Sequence, residues 1–227
     1  MERKIENFEE WNEEMAIKYN PDHYHHSPNL IVRFTEFMRA RAILKFLSPA
    51  EGDYVLDVGC GAGNMLQKIK KGRLYGVDLS ETLLELARAR LRENGAILFR
   101  GNVECLSEII RGQKFNKIFC SEVLEHVENP GKVIDEMIKL ATADGRIVIS
   151  IPNEPVINFL KSILIKLRIF DLLFKGLSKK MDEEWHLHNM DMGIFRRMVK
   201  GKLRILKIKK VPYIFLPIRY VFLCAVE

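Results

Sequence analysis

The segment Tyr54-Val55-Leu56-Asp57-Val58-Gly59-Cys60-Gly61-Ala62-Gly63-Asn64 constrains this chain more than any other, because an apolar run breaks there into three glycines at alternate positions. Val77-Asp78-Leu79 follows. The order reads as a strand, a glycine turn, a helix start and a second strand ending in an acid. Glycines turn the backbone sharply without a Cβ and bring a ligand close to main-chain N–H groups at a helix N-terminus. An acid at the tip of the neighbouring strand takes both hydroxyls of a ribose. A dinucleotide fingerprint would place its third glycine at position 64, where this chain has Asn64.

Beyond the turn, residues 65–71 read as a short helix, 74–77 as the second strand and 81–94 as a helix stopped by Gly95. Strands follow at 96–100, 115–120 and 146–151, with a helix at 130–140. This alternation predicts a parallel, doubly wound sheet with helices on both faces. Ligands in such sheets bind at the carboxyl ends of the strands, where Asp57 to Gly63, Asp78, Asn102 and Ser121-Glu122 fall. Runs at 203–212 and 219–227, separated by Pro212 and Pro217, suit a terminal antiparallel hairpin. With 227 residues and no Pro/Gly/Ser-rich linker, the chain reads as one domain, 1–227. Residues 1–50 form an N-terminal helical segment, and 153–190 an apolar, basic helical insertion after strand five.

With Leu56-Asp57 before it, the G-x-G-x-G turn resembles the first motif of class I S-adenosylmethionine-dependent methyltransferases. The resemblance implies a Rossmann-like, mainly parallel seven-stranded sheet with an antiparallel last strand. It implies S-adenosylmethionine as methyl donor, S-adenosylhomocysteine as product, and no metal. Carried onto this chain, it makes Asp57, Gly59, Cys60, Gly61, Gly63 and Asn64 the cradle of the cofactor, Asp78 and Leu79 its ribose site, and Asn102 and Val103 its adenine border. Asn102 stands where the family commonly has an acid. Ser121 and Glu122 lie toward the methionine end, where Glu122 either touches the cofactor or is solvated.

Leu124-Glu125-His126-Val127-Glu128-Asn129-Pro130 looks like the L-E-H-V-x-x-P signature of the ubiquinone-biosynthesis O-methyltransferases. Methyltransferases of base amino groups carry an Asn/Asp-Pro-Pro-aromatic turn there, so base methylation is disfavoured. Upstream, residues 25–33 resemble that branch's His-x-x-Asn-Pro-x-Arg segment, with Pro28 and Asn29 in reversed order. The match implies that Arg33 meets the cofactor carboxylate; Arg39 and Arg41, expected on the outer face of the same helix, are the alternatives for that role.

The net charge of +6 is uneven: residues 151–227 hold 15 Lys/Arg against 7 Asp/Glu, which leaves 1–150 at −2. Such a basic third faces a membrane or nucleic acid, or is a solvated lysine face. Residues 156–175 contain 13 apolar side chains in 20, interrupted by five charges that exclude an ordinary transmembrane span. On a helix, Phe159, Leu160, Ile163, Leu167, Phe170 and Phe174 share one arc opposite Asn158, Lys161, Ser162, Arg168 and Lys175. That pattern suits a helix lying in a membrane interface, and equally a lid or a dimer contact.

His186, in Glu184-Trp185-His186-Leu187-His188, is the first candidate general base, and His126 the second, its bland alternative being to hold its own loop. Tyr24, His25, Trp185 and His188 are candidates to line the acceptor pocket. His23, His25 and His26 lack an acidic partner at metal-ligand spacing. Cys60, Cys105, Cys120 and Cys224 show no C-x-x-C spacing and read as reduced, structural cysteines of a cytoplasmic protein. The N-terminus lacks the apolar core of a signal peptide. The reading is therefore a cytoplasmic enzyme, peripheral on the inner face of the membrane if the insertion binds lipid, that methylates a small or lipid-like acceptor at oxygen. Its alternatives are an RNA or protein methyltransferase using the basic third, and a non-catalytic cofactor-binding scaffold.

Overall fold

The computed structural model describes residues 5–20, 22, 27–174 and 178–227. Helices α1 (Phe8–Tyr19) and α2 (Leu30–Leu47) precede β1 (Tyr54–Val58), β2 (Arg73–Asp78), α3 (Glu81–Arg90), β3 (Ile97–Arg100), α4 (Leu106–Ile109), β4 (Phe115–Ser121), α5 (Pro130–Leu140) and β5 (Ala141–Pro152). Four helices follow, α6 (Glu154–Lys166), α7 (Phe170–Leu173), α8 (Met181–Trp185) and α9 (Met192–Val199), then the hairpin β6 (Leu203–Pro212) and β7 (Pro217–Val226).

The seven strands form one sheet in the order β3-β2-β1-β4-β5-β7-β6, and β7 runs antiparallel to both of its neighbours. Strand order reverses between β1 and β4, which opens a crevice at their carboxyl ends. Val55, Leu56 and Val58 of β1 are fully buried, as a central parallel strand covered on both faces requires. Helix α5 shows why the covering helices form. Asn129 caps it, Pro130 opens its first turn, and Val133, Ile134, Met137 and Leu140 bury one face at helical spacing. On the same side Phe195 of α9 stacks on Phe222 of β7 with centroids 4.1 Å apart; truncating such a ring costs about 3–5 kcal/mol.

Two expected helices are altered. The helix expected at 65–71 is a single 3-10 turn, Leu66–Lys68, after which Ile69 is extended. Reach explains this: the chain must return along β1, about 17 Å for five residues, and the eight steps from Asn64 to Gly72 would cover only about 12 Å as helix. The insertion is also not one helix over 156–175. It breaks after α6, where Arg168 takes a left-handed φ of 57°. Lys161, expected on the solvated side, is half-buried against Asp182 of α8 at 3.3 Å, whereas Phe159 and Leu167 are 64% and 62% exposed. Strand five begins at Ala141 rather than 146, with a register shift opposite Phe115/Lys117. All four cysteines are free thiols. No helix among the described residues is long and apolar enough to cross a membrane.

Candidate active site

A cavity of about 240 Å³ opens at the carboxyl ends of the central strands, walled by Gly59 after β1, Asp78 ending β2, Asn102 after β3, and Ser121 with Glu122 at the end of β4. Asp57, Cys60, Asn64, Leu79, Val103, His126, Trp185 and His186 line it as well. The glycine turn works differently from the expectation. No α-helix follows it, and its donors are taken by the protein: the Gly59 and Cys60 N–H groups bond the Val77 carbonyl, and that of Gly63 bonds Cys60. Gly59 and Gly63 have φ of 75° and 77°, and a Cβ on Gly63 would fall 2.8 Å from Leu91. Gly61 and Gly63 lie beneath the cavity wall, where the Gly61 N–H donates to Asp78 Oδ2 at 2.7 Å.

That bond aims Asp78. Its Oδ1 accepts from the Ser80 N–H at 3.0 Å, and each oxygen keeps lone pairs for ribose hydroxyls. Burial raises its pKa, and the Ser80 and Gly61 hydrogen bonds oppose the rise. Asp57, deeper, is pushed well above the usual carboxylate range by burial and by Asp78, with Arg39 pulling the other way. Asn102 caps the next turn by accepting from the Glu104 N–H at 2.9 Å, which leaves its NH₂ for a base edge.

Of the candidate arginines Arg39, not Arg33, lines the cavity. Arg33 is exposed in an outer groove with Phe34 and Lys68, whereas Arg39 is 6% exposed and lines the cavity. Its Nη1 donates to Ser121 Oγ at 2.7 Å and its Nη2 pairs with Glu36. Its Nε is buried with no hydrogen-bond partner among the described residues, so the guanidinium is one acceptor short there. Glu122 is not simply solvated. Arg219 Nε donates to its Oε2 at 2.7 Å and Ser150 Oγ to its Oε1 at 3.0 Å, holding it at a left-handed φ of 56° that costs about 1–3 kcal/mol. Glu122 and Glu36 in turn raise the Arg219 pKa against its burial.

The opposite wall comes from helices. Phe8, Asn12 and Ala16 of α1 meet Met181, Asp182 and Trp185 of α8 across the opening. Lys18 and Tyr19 of α1 both hold Glu184, and the Tyr19 and Trp185 rings stack at 6.2 Å. Behind Trp185, His126 packs at 4.5 Å from its ring and 4.8 Å from that of His186. His186 Nδ1 lies 2.8 Å from Glu154 Oε1. Burial lowers the His186 pKa, but the bond to Glu154 and the charge of Glu125 outweigh it and the net shift is upward. His126 goes the other way, well below its usual value, through burial and then His186. Glu125, 1% exposed, is raised to about 8 by burial and then by Glu122, against the pull of His186.

Glu125, His126 and His186 offer ligand atoms within 4.8 Å of one another. A buried carboxyl whose pKa is raised to about 8, and an imidazole already bonded to Glu154, make a poor donor set for a metal. His188 does not reach the cavity. Its Nε2–H lies 2.9 Å from the Val127 carbonyl and 3.1 Å from that of Glu128, tying the segment after α8 to the loop after β4. Tyr24, His25 and their neighbours His23 and His26 lie outside the described residues.

Arg39 and Glu36 differ from the sequence reading, which puts Arg39 on the outer face of its helix and passes over Glu36; Arg219, Glu125 and Glu154 have no role in it. For the first two a signal existed, since Glu36 and Arg39 are spaced i, i+3 on the face that also carries Thr35, Ala40, Ile43 and Leu47. Glu154 and Arg219 carry no local mark.

Comparison with known proteins bears on the same residues. Residues 49–199 match the family model described as a methyltransferase domain. The ubiquinone biosynthesis O-methyltransferase of Coxiella burnetii (strain Dugway 5J108-111) is 30% identical over 168 residues, 72% of this chain and 68% of that protein. Its counterpart in Dechloromonas aromatica is 34% identical over 129 residues, 55% of each chain. Among solved structures, the magnesium protoporphyrin IX methyltransferase of Synechocystis with bound S-adenosylhomocysteine superposes with a TM-score of 0.68 at 17% identity, over 96% of this chain and 98% of that one. An N-methyltransferase of Bradyrhizobium japonicum, also with S-adenosylhomocysteine, gives 0.66 at 15% identity over 97% and 98%. At such identities the structures speak for the fold alone. The family match, spanning two-thirds of the chain and its first five strands, decides the rest: the chain belongs to the methyltransferase domain family, as a class I S-adenosylmethionine-dependent methyltransferase.

Proposed function

We propose that the chain methylates a hydroxyl oxygen of a small, lipid-like acceptor, with His186 taking the hydroxyl proton. Bound at the strand tips, S-adenosylmethionine supplies an electrophilic methyl group on a sulfonium centre. The protein has to align the hydroxyl with that methyl group and remove its proton.

The observation that carries the proposal is the His186–Glu154 pair in the cavity wall. Accepting from Nδ1–H at 2.8 Å, Glu154 fixes the tautomer and leaves Nε2 with a lone pair. When Nε2 takes a proton, the new charge stays beside a carboxylate, which is why burial does not win over the His186 pKa. Neighbouring His126, its pKa depressed, stays neutral, so the positive charge develops at one ring. Relatives named for O-methylation in ubiquinone biosynthesis support oxygen as the accepting atom. Ile157 and Met181 on the wall suit an apolar acceptor body.

The test is His186→Ala, assayed by S-adenosylhomocysteine release over a panel of alkylphenols, with cofactor affinity measured by calorimetry. Turnover should fall by about 10²–10⁴ while cofactor affinity holds. An unchanged rate would remove His186 from the chemistry.

A further inference from the structure

At the acceptor end of the cavity two polar atoms are buried with no hydrogen-bond partner among the described residues, Glu125 Oε2 and Trp185 Nε1. Glu125 is 1% exposed and Trp185 7%. They flank one ring: the His126 Nε2 lies 4.0 Å from Glu125 Oε1, and the imidazole centroid 4.5 Å from that of Trp185. Glu125 is anchored by its backbone. Its carbonyl accepts from the Leu187 and His188 N–H groups at 2.8 and 3.2 Å, and Leu124 and Val127 are buried on either side of it. The carboxyl is therefore held in the wall without being used to hold it.

The charged groups around Glu125 leave it no counterion. Burial first, then Glu122 at the end of β4 and more weakly Glu154 of α6, raise its pKa to about 8, with His186 pulling the other way. The cations are engaged elsewhere. Arg219 of β7 pairs with Glu122 and Glu36, the His186 Nδ1–H with Glu154, and Lys161 with Asp182. The Cys120 thiol of β4, pushed well above its usual value by burial and then by Glu125, adds no positive charge. A buried carboxylate with nothing opposite it is costly, and the neutral carboxyl that avoids this cost is a donor, as the Trp185 Nε1–H is. Two donors in one wall with no acceptor call for an oxygen brought by a ligand. A ligand carboxylate is the wrong oxygen, because Glu122 and Asp182 line the same cavity and the cations that could balance it are spent.

We propose that Glu125 selects the acceptor: its neutral carboxyl donates to an uncharged carbonyl or ether oxygen carried apart from the reacting hydroxyl, and acceptors bearing a carboxylate are turned away. The inference rests on the methyl-transfer reading of this cavity and adds to it the charge and the second functional group of the molecule taken. The neutral carboxyl belongs with a neutral His186, because a proton on His186 pulls the Glu125 pKa down. That is the state in which His186 meets the hydroxyl. Above the raised pKa the carboxyl ionises, the donor is lost and a negative charge faces the acceptor, so acceptor affinity should fall as pH rises past about 8.

The experiment uses the full-length protein and an alkylated hydroxybenzoate, as its methyl ester and as its free acid. Turnover is followed by S-adenosylhomocysteine release, and binding by calorimetry on protein saturated with S-adenosylhomocysteine. Wild type should favour the ester about tenfold or more in kcat/KM and in affinity, and should lose about tenfold of its ester affinity between about pH 7 and about pH 9. Glu125→Leu should raise the ester KM about tenfold, with kcat and cofactor affinity within a few-fold. Glu125→Gln, which keeps a donor that does not titrate, should recover that KM to within about threefold and hold it flat over the same pH range. Because the calorimetric arm needs no turnover, an inactive protein would strike the methyl-transfer proposal for His186 and still give the ester preference and its pH dependence. Equal affinity for ester and acid, an unchanged KM in Glu125→Leu, or a Glu125→Gln profile that falls as wild type does would each overturn the proposal. So would turnover lost in EDTA and restored by magnesium, which would make the carboxyl a metal ligand.

Discussion

At the cofactor end of the cavity the polar groups sit on strand tips and are aimed by backbone: Asp78 by two N–H groups, Asn102 by one. At the acceptor end they sit on helices and loops and are aimed by other side chains: His186 by Glu154, Trp185 by Tyr19 and His126. Strand tips in such a sheet move little, because ladder bonds fix β1, β2 and β4 on both sides and the edge strand β3 on one. Side chains that position one another across α1, α6 and α8 can be rearranged without disturbing the sheet. The molecule thus fixes the reagent every methyltransferase of this class shares and leaves adaptable the end that selects a substrate.

The contrast breaks most visibly at Asp78. Asp78→Ala removes a half-buried carboxylate from the cavity wall, and the loss of charge-assisted hydrogen bonds to the proposed ribose should weaken S-adenosylmethionine binding about 100-fold or more by calorimetry. Replacements at the helical wall should leave that affinity within a few-fold. Unchanged affinity in Asp78→Ala would dissolve the cofactor end as drawn.

The same contrast explains what the sequence made legible. Asp57, the glycines, Asp78 and Asn102 all lie within a few residues of a strand end, so local pattern and local position coincide. Arg39 and Ser121 meet across 82 positions, and Arg219 and Glu122 across 97, and no local pattern encodes such a pairing. Arg33 attracted the carboxylate role through its place in a motif, although the helical period puts Arg39 with the buried Thr35, Glu36 and Ile43. The insertion misled for a different reason. Its apolar arc assumed an unbroken helix, and the left-handed turn at Arg168 splits the arc between α6 and α7.

A smaller effect sharpens the acceptor end. Glu154 acts through His186, so Glu154→Gln should lower turnover about tenfold and leave cofactor affinity alone. The pH profile separates this role from a merely structural one. Because Glu154 raises the His186 pKa, the imidazole reaches its basic form only as pH rises past that elevated value. Removing the charge lowers the pKa, so the low-pH limb of kcat/KM should move to lower pH. A limb that stays in place would mean that Glu154 does not set the base.

The smallest effect concerns Trp185, whose Nε1–H is buried with no partner among the described residues while its ring lines the cavity. An unsatisfied buried donor costs about 1–3 kcal/mol, and a protein retains such a group where something else repays the cost. Trp185→Phe keeps the aromatic contact with Tyr19 and His126 but deletes the donor. Without acceptor, the variant should be no less stable, with a thermal midpoint up to about 2–4 °C higher for each kcal/mol recovered. With acceptor, KM should rise about threefold to tenfold at constant cofactor affinity, the signature of a hydrogen bond completed only by substrate. A lower midpoint together with an unchanged KM would make the indole a packing element. The acceptor end would then select by shape alone, and the asymmetry between the two ends would be steeper than drawn.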